Sequence, residues 1–239
     1  MQRPSPCILK KQHGLSIVEL MVGIAVGLFV VAGAILMVTH NTSSNRSLLV
    51  ETRLNQDLRA ATDLIARDLR RAGYWASAAR GVYVVGGSSA PPQNNYQSMI
   101  PGSCNASPLP AAADEIDAIV SGICYYIEQG TPDNSPTSNE MFGFSLSNGV
   151  ISTFLGGTTP HDLTDSKTLY VDDLQIIPHS TTISLASMCP TTPAVAPTVA
   201  VRLFEIVVRG HAPSDANVVR GIRTYAKVRN DAVSGSCSS

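Results

Sequence analysis

The first clear pattern along the chain is a long run of apolar positions near its start. After Glu19, nineteen residues from Leu20 to Val38 carry no charged and no strongly polar side chain. A helix needs roughly 20 apolar residues, at about 1.5 Å of rise each, to cross the hydrocarbon core of a membrane. The pattern therefore predicts a membrane helix over residues 15–38.

The next stretch, residues 39–73, has the period of an amphipathic helix. Its apolar residues recur at steps of three and four and form one stripe: Leu54, Leu58, Ala61, Ile65, Leu69 and Ala72. Charged side chains occupy the other faces, and Gly73 is a natural stop. We expect the stripe to pack against the sheet of the chain's own head rather than form a coiled coil with a partner. Residues 41–45 favour turns and caps, so a break in the helix there is left open.

Beyond Gly73, short runs separated by clusters of Gly, Pro, Ser and Asn predict a β-rich head over residues 74–239. The predicted strands are Gly81–Val85, Glu115–Val120, Ile123–Glu128, Met141–Leu146, Val150–Leu155, Thr168–Ile177, Ala200–Arg209 and Gly221–Arg229. Long loops are predicted at Ser88–Ser107, Gly130–Asn139 and His179–Pro197. The last strand alternates, with Ile222, Thr224, Ala226 and Val228 on one face, as in a half-buried antiparallel strand. The predicted fold class is α+β, a long N-terminal helix packed on an antiparallel sheet.

The segment before the apolar run is polar and basic. Residues 1–14 contain Arg3, Lys10 and Lys11 and no acid, so this end should stay in the cytoplasm and the body should lie across the membrane. The apolar run is longer than the core of a secretory signal, and no A-x-A cleavage site follows it. Glu19 places a carboxylate within the hydrophobic segment, where an unpaired charge costs several kcal/mol. Glu19 is therefore a candidate functional residue, and a plain uncleaved signal anchor is the alternative interpretation.

The heptapeptide Gly14-Leu15-Ser16-Ile17-Val18-Glu19-Leu20 resembles the class III signal of type IV pilins and pseudopilins. The resemblance implies that a prepilin peptidase cleaves between Gly14 and Leu15 and that the new amine of Leu15 is methylated. Glu19 then becomes the fifth residue of the mature chain. Its carboxylate can neutralise the amine of a neighbouring subunit inside an apolar filament core, which makes Glu19 the predicted docking residue. Leu15 departs from the phenylalanine usual in the family, and we expect processing to tolerate the change.

The segment Asp63–Ala76 resembles the end of this helix in PilW-type minor pilins, and Leu169–Pro178 and Lys227–Asn230 resemble such chains more weakly. The resemblance implies four segments: a leader (1–14), a transmembrane or filament-core helix (15–38), an amphipathic helix (39–73) and a β-rich globular head (74–239). It also implies a single-pass protein of the bacterial inner membrane, in contact with lipid, with its head in the periplasm. After processing by prepilin peptidase, the protein would join other minor pilins and the major pilin to prime pilus assembly. A place at the fibre tip on the cell surface, beside a tip adhesin, is a further expectation.

Two alternatives to a minor pilin stay open. A J-type pseudopilin of a type II secretion system shares the leader, the helix and the approximate size. A membrane-anchored binding module or hydrolase that carries the same leader is the alternative from a different class.

The cysteines predict two disulfides in an oxidising compartment. Cys7 lies in the predicted leader, and Cys104, Cys124, Cys189 and Cys237 can pair in three ways. We favour Cys104–Cys124 and Cys189–Cys237, because each closes a loop that borders a predicted strand. The second bond would also hold the C-terminus.

The charge argues against a nucleic-acid partner, and the absence of catalytic motifs argues against an enzyme. The formal net charge of −1 gives no basic excess for nucleic acid, and we interpret Arg223, Lys227 and Arg229 with Tyr225 as a plain exposed sheet face. No metal-ligand spacing, G-x-S-x-G motif or phosphate loop is present, and Asp162, Asp165, Asp172 and Asp173 are interpreted as solvated carboxylates. We expect no catalytic residue, no metal and no cofactor.

Overall fold

The computed structural model describes residues 14, 16–81, 92–104, 116, 118–193, 195–235 and 237. The long helix in this part of the chain is α1, Ile17–Leu69, with 53 residues. The chain forms two compact units, Met1–Leu49 and Val50–Ser239. The first contains the N-terminal part of α1, and the second contains the rest of α1 and the described strands.

Eleven strands are present among the described residues: β1 (Met99–Pro101), β2 (Gly122–Tyr126), β3 (Met141–Ser147), β4 (Val150–Leu155), β5 (Pro160–Asp162), β6 (Tyr170–Pro178), β7 (Thr181–Ser184), β8 (Thr198–Val201), β9 (Leu203–Ala212), β10 (Asp215–Lys227) and β11 (Ala232–Ser234). Short 3-10 helices lie at Ala78–Gly81, Asn95–Gln97, Ser138–Glu140 and Ala186–Met188. The strands form antiparallel sheets in the orders β1-β2-β3-β4-β5, β10-β9-β6 and β11-β8-β7.

The N-terminal unit keeps its helical hydrogen bonds through the segment where a break was left open. The Thr39 hydroxyl donates to the carbonyl oxygens of Ile35 (3.0 Å) and Leu36 (2.9 Å), and the Thr42 hydroxyl donates to that of Val38 (2.8 Å). These side chains bond to the preceding turn of the helix itself, which satisfies them within it. Residues 41–45 are accordingly helical.

A tight turn joins β3 and β4 in the five-stranded sheet. Asn148 and Gly149 both have positive φ, 51° and 77°, as a two-residue type I′ hairpin requires. Ser147 pairs with Val150 directly across the turn. Local turn chemistry therefore sets the register of this hairpin.

The two three-stranded sheets adjoin, because the β7–β8 pair follows directly after the β6–β9 pair. Pro178 of β6 pairs with Phe204 of β9, the His179 amide donates to the Leu203 carbonyl (2.7 Å), and Thr181 of β7 then pairs with Val201 of β8. Along the chain, β7 thus prolongs β6, while β8 precedes β9 with only Arg202 between them. The long antiparallel pair is interrupted at Arg202 rather than ended there.

The core of the second unit lies between α1 and the sheets. The six residues of the predicted stripe are each at most 3% exposed. Five of them, all but Ala61, belong to one apolar cluster with strand residues that include Phe144, Ile176, Phe204, Ile206 and Val208. The predictions of an α+β fold and of a stripe packed on the chain's own sheet are confirmed.

Several strand predictions are also confirmed, with small shifts of their ends. Met141–Leu146, Val150–Leu155 and Thr168–Ile177 correspond to β3, β4 and β6, and Ile123–Glu128 corresponds to β2. The strand predicted at Gly221–Arg229 is β10, which begins six residues earlier, and it has the predicted alternation of burial. The alternation of β10 marks a strand with one face on the core, whereas β2, β3 and β4 contain runs of consecutively buried residues.

Other predictions of strands and loops were wrong. The strand predicted at Ala200–Arg209 is two strands, β8 and β9, because Arg202 interrupts the pairing. The predicted loop His179–Pro197 contains β7, and β1 lies in the predicted loop Ser88–Ser107. In Glu115–Val120, Val120 forms a single bridge, and Glu115 and Asp117 lie outside the described residues. Of the predicted strand Gly81–Val85, residues 82–85 also lie outside the described residues.

Candidate assembly site: the N-terminal helix and the helix–sheet junction

The residues of the predicted leader signal lie at the start of α1. Gly14 is exposed and precedes the helix, Leu15 lies outside the described residues, and α1 begins at Ile17. The Leu20 amide donates to the Ser16 carbonyl oxygen (3.1 Å), which closes the first turn. The predicted cleavage position therefore lies just ahead of the helix, and Glu19 lies in its first turn.

The first turn of α1 is an electrostatically favourable place for the carboxylate of Glu19. The first amides of a helix have no partner within the helix, and their dipoles favour a negative charge nearby. Glu19 is exposed, and no ion pair to it is found within the described part of the chain. Its carboxylate is thus available to a group outside the described chain.

Apolar side chains surround the first half of α1 on all sides. Residues 17–38 are all exposed, and Phe29 reaches 81% exposure. Among the described residues, α1 is the one helix that is long enough and apolar enough to cross a membrane. A surface of this kind is stable only against lipid or against other apolar helices.

The segment that resembles PilW-type chains forms a junction between α1 and the five-stranded sheet. Gly73 has a φ of +68°, and its amide donates to the Tyr126 carbonyl oxygen (2.9 Å). Tyr74 then forms a parallel bridge with Ile127, and the Glu128 amide donates to the Tyr74 carbonyl oxygen (3.0 Å). Asp63–Ala76 therefore has a structural task in this chain: it ends the helix and ties it to the sheet beside β2.

Two buried glutamates hold the loop that follows this junction. Glu128 accepts from the amides of Ala76 (2.6 Å) and Asn134 (3.0 Å). Glu140 accepts from the amides of Gln129 (2.8 Å) and Thr137 (3.0 Å) and from the Tyr96 hydroxyl (3.2 Å). Burial, followed by the charge of Glu140, raises the pKa of Tyr96, so this phenol remains a proton donor.

Sequence reasoning missed this pair of glutamates. The signal that could have found Glu140 is Thr137-x-x-Glu140, the spacing of a capping box, which the structure contains. Glu128 follows a buried run in β2 and carries no comparable signal in the sequence.

The remaining polar groups of the head have local roles. Asp165 accepts from the Lys167 amide (2.9 Å), Asp172 bonds to His211 (2.9 Å) and Asp162 accepts from the Ser152 hydroxyl (3.4 Å). Arg223 of the predicted basic face donates to buried Glu205 (2.9 Å). No group of three or more potential metal ligands occurs among the described residues.

The structure contains two disulfides, Cys104–Cys124 and Cys189–Cys237. The first lies in a second apolar cluster with Trp75, Tyr96 and Tyr126. The second links the connection between β7 and β8 to the residues that follow β11. Each bond thus holds a loop to a sheet.

A prepilin-type signal, an exposed apolar helix and an amphipathic continuation packed on antiparallel sheets define a type IV pilin-like protein. Residues 9–35 match the prokaryotic N-terminal methylation motif. Residues 47–228, more than half of the chain, match the family described as prepilin peptidase-dependent protein B. The chain belongs to the prepilin peptidase-dependent protein B family. It is a structural protein and not an enzyme, and prepilin peptidase is its processing partner.

Searches of curated proteins and of solved structures gave no match to this chain.

Proposed function

We propose that this chain is a minor pilin of the PilW type that helps to prime the assembly of a type IV pilus. The observation that carries the proposal is Glu19, which lies in the first turn of an exposed apolar helix, five residues after Gly14. The match of residues 47–228 to a prepilin peptidase-dependent family supports a head built for the same kind of assembly.

The proposed docking step uses charge inside an apolar environment. Cleavage after Gly14 frees the amine of Leu15, and Glu19 of one subunit pairs with the amine of its neighbour when the two helices pack side by side. A carboxylate buried without a partner costs several kcal/mol, so the pair forms only at the correct axial stagger. Glu19 would therefore set the register of the subunit as well as its attachment.

The proposed location follows from the two ends of the apolar helix. The basic leader keeps residues 1–14 in the cytoplasm, and residues 15–38 cross the inner membrane. Residues 39–73 and the head, residues 74–239, would then lie in the periplasm, where two disulfides are stable. From there the subunit would enter the pilus with other minor pilins and the major pilin, at the tip and beside an adhesin.

Replacing the carboxylate tests the docking step. Removing one partner of a buried pair costs about 3–5 kcal/mol, so we expect Glu19→Ala to lower incorporation into pili by about two orders of magnitude or more. Mass spectrometry of the same strain should still find Leu15 as the methylated N-terminus. Glu51→Ala is the control, because Glu51 lies on the same helix and pairs with Arg220 of the head.

Two results would contradict the proposal. Met1 intact in the mature protein would exclude processing as a prepilin. Normal incorporation of the Glu19→Ala chain would exclude docking through this carboxylate.

A deletion strain separates a pilus subunit from a J-type pseudopilin. We expect loss of surface pili with unchanged secretion through the type II system. Loss of secretion with normal pili would assign the chain to the pseudopilus instead.

A further inference from the structure

The outer edge of β7 presents backbone groups in a known orientation. The amides of His179 and Leu185 donate inward to the carbonyl oxygens of Leu203 and Pro197, both at 2.7 Å. Residues of an antiparallel strand alternate between pairing inward and pairing outward. Thr182 and Ser184 therefore direct their amide and carbonyl groups away from β8.

In β6, the strand before β7, the same edge already pairs with another segment of the chain. The Ile176 amide donates to the Val120 carbonyl oxygen (2.8 Å), and the Val120 amide donates back to Ile176 (3.1 Å). This bridge connects β6 to the residues just before β2. Past it, no strand among those described pairs with the outer edge of β7.

The edge of β7 is short but lacks the other usual protections against strand addition. Natural edge strands are guarded by lysine or other charges, by proline or by a bulge. Thr181–Ser184 contains none of these, and all four residues are exposed. The uncharged surroundings extend further, because the 22 residues from Ser180 to Val201 include no Asp, Glu, Lys, Arg or His.

The three strands β7, β8 and β11 also present an apolar row beside this edge. Ile183 pairs with Val199, which pairs with Val233, so the three side chains lie next to one another on one face. Ile183 is 50% exposed, and no residue of these three strands is buried. A strand added beside Ile183 would extend the row and remove apolar surface from water.

We propose that the edge of β7 accepts an extended, uncharged strand from a different pilin-type subunit, paired through the backbone of Thr182 and Ser184. This inference rests on the proposed function, which places such subunits beside the chain. An uncharged strand is required because a charge brought against this surface would lose water without gaining an ion pair.

A different subunit is favoured over a second copy of this chain on grounds of area. Two β7 edges could pair over four residues each, well short of the roughly 1,000 Å² that a specific interface needs. A partner larger than one strand can also cover the apolar row of Ile183, Val199 and Val233. Its own membrane anchor would hold it nearby at high effective concentration.

Substitutions at Thr182 separate the backbone edge from the side chain. Thr182→Pro removes the outward amide and leaves the inward hydrogen bonds of the strand intact. Thr182→Val keeps the amide and the strand propensity, and is the matched control. Thr182→Lys adds a guarding charge without changing the backbone, so it carries the test if the proline variant fails to fold.

The measurement is photo-crosslinking in native membranes. The full chain carries a photoreactive residue at position 184 and is co-expressed with each other prepilin-leader subunit of the same genome. We expect an adduct with an extended, uncharged peptide of one such subunit, mapped by mass spectrometry. Thr182→Val should keep the adduct, and Thr182→Pro and Thr182→Lys should each reduce it at least about tenfold.

Four outcomes would overturn the proposal. They are an adduct with a second copy of this chain, no adduct with any subunit, equal yields for the valine and lysine variants, and slow hydrogen exchange at the Thr182 and Ser184 amides of the isolated chain. The last would mean that the chain's own residues cover the edge. Failure of the edge is distinguishable from failure of the proposed function, because the effect of Glu19→Ala on incorporation is measured independently of position 182.

Discussion

The two parts of α1 differ in how apolar side chains are arranged around the helix. Residues 20–38 carry no charged or strongly polar side chain on any side, and each is exposed in the first unit. In the second unit, α1 buries one apolar stripe, in which Leu54, Leu58, Ile65 and Leu69 are fully buried, while Leu64 is 38% exposed. The two parts differ in composition as well as in distribution, because residues 50–69 include seven charged side chains and residues 17–38 include only Glu19.

This contrast shows that the angular pattern of apolar residues, together with their number, indicates what a helix packs against. A helix apolar on every side cannot bury itself against one sheet and requires a surrounding apolar medium. A helix with one stripe is satisfied by a single sheet. The same backbone element can therefore belong to two environments.

The largest expected difference between the two parts is in the effect of truncating a leucine. Leu58→Ala should lower the free energy of unfolding of the head by about 2–5 kcal/mol, because it leaves a cavity in a fully buried site. Leu36→Ala should change it by less than about 0.5 kcal/mol, because Leu36 is 70% exposed. Urea unfolding of the full chain in detergent, followed by a probe in the head, measures both. Equal losses in the two variants would invalidate the comparison.

An intermediate effect is expected where the striped part of α1 meets the sheet. At Gly73, φ is +68° and an added Cβ would lie 3.1 Å from Nη2 of Arg202. We expect Gly73→Ala to destabilise the head by about 1–3 kcal/mol. Gly130→Ala is the control, since Gly130 also has a positive φ, +78°, but an added Cβ would have nothing within 4 Å. If both variants lose the same stability in thermal melts, the close approach to Arg202 has no energetic weight.

The smallest effect is expected on the sheet side of the same interface, at Tyr125. Its hydroxyl is buried without a partner in the described structure, and burial raises the pKa of its phenol well above the usual value of about 10. Tyr125→Phe should therefore raise stability at pH 7 by about 1 kcal/mol, because it removes an unsatisfied polar group.

The pH dependence gives a second measure of Tyr125. The pKa of Tyr125 is higher in the folded chain than in the unfolded chain, so below pH 10 its ionisation does not affect the free energy of unfolding. Above pH 10 the unfolded chain loses this proton first, and the free energy of unfolding falls by up to about 1.4 kcal/mol per pH unit. The phenylalanine variant should lack this part of the alkaline slope in unfolding curves at pH 9–11. An unchanged slope would show that Tyr125 ionises as readily in the folded chain as in the unfolded one.

Periodicity predicted the elements that have one face on the core. The stripe of α1 and the alternation in β10 follow directly from which residues touch apolar neighbours. The short strands β1, β5, β7 and β11 were not predicted, because three or four residues with little burial leave no periodic signal. Their existence depends on strands distant in the sequence.

The interruption of strand pairing at Arg202 illustrates a second limit of sequence reasoning. Val199, Val201, Leu203 and the residues after them continue one apolar pattern, which predicted a single strand. Arg202 is instead buried, and its guanidinium donates to the Asn230 carbonyl oxygen (2.8 Å) and to that of Gln97. Tertiary contacts over 28 and 105 positions decide this local geometry.

The candidate site was more predictable than the fold, because its chemistry is concentrated in a short segment. Gly14, Leu15 and Glu19 could be named because residues 14–20 resemble the class III signal of type IV pilins, and residues 9–35 match the methylation motif. Their roles in cleavage, methylation and docking remain predictions, as do the four segment boundaries. The edge of β7 could not be named from sequence, since it depends on which strands pair and which do not.

The buried stripe of α1 has a consequence for the timing of synthesis. Leu54, Leu58 and Leu69 emerge from the ribosome long before Phe204, Ile206 and Ala226, which belong to the same core. Until residues 203–227 have been made, β9 and β10 cannot cover their part of the stripe, and completion of the core must wait for these distant contacts. The nascent chain therefore passes through a period in which a second apolar surface, besides the membrane helix, is open to chaperones or to misassembly.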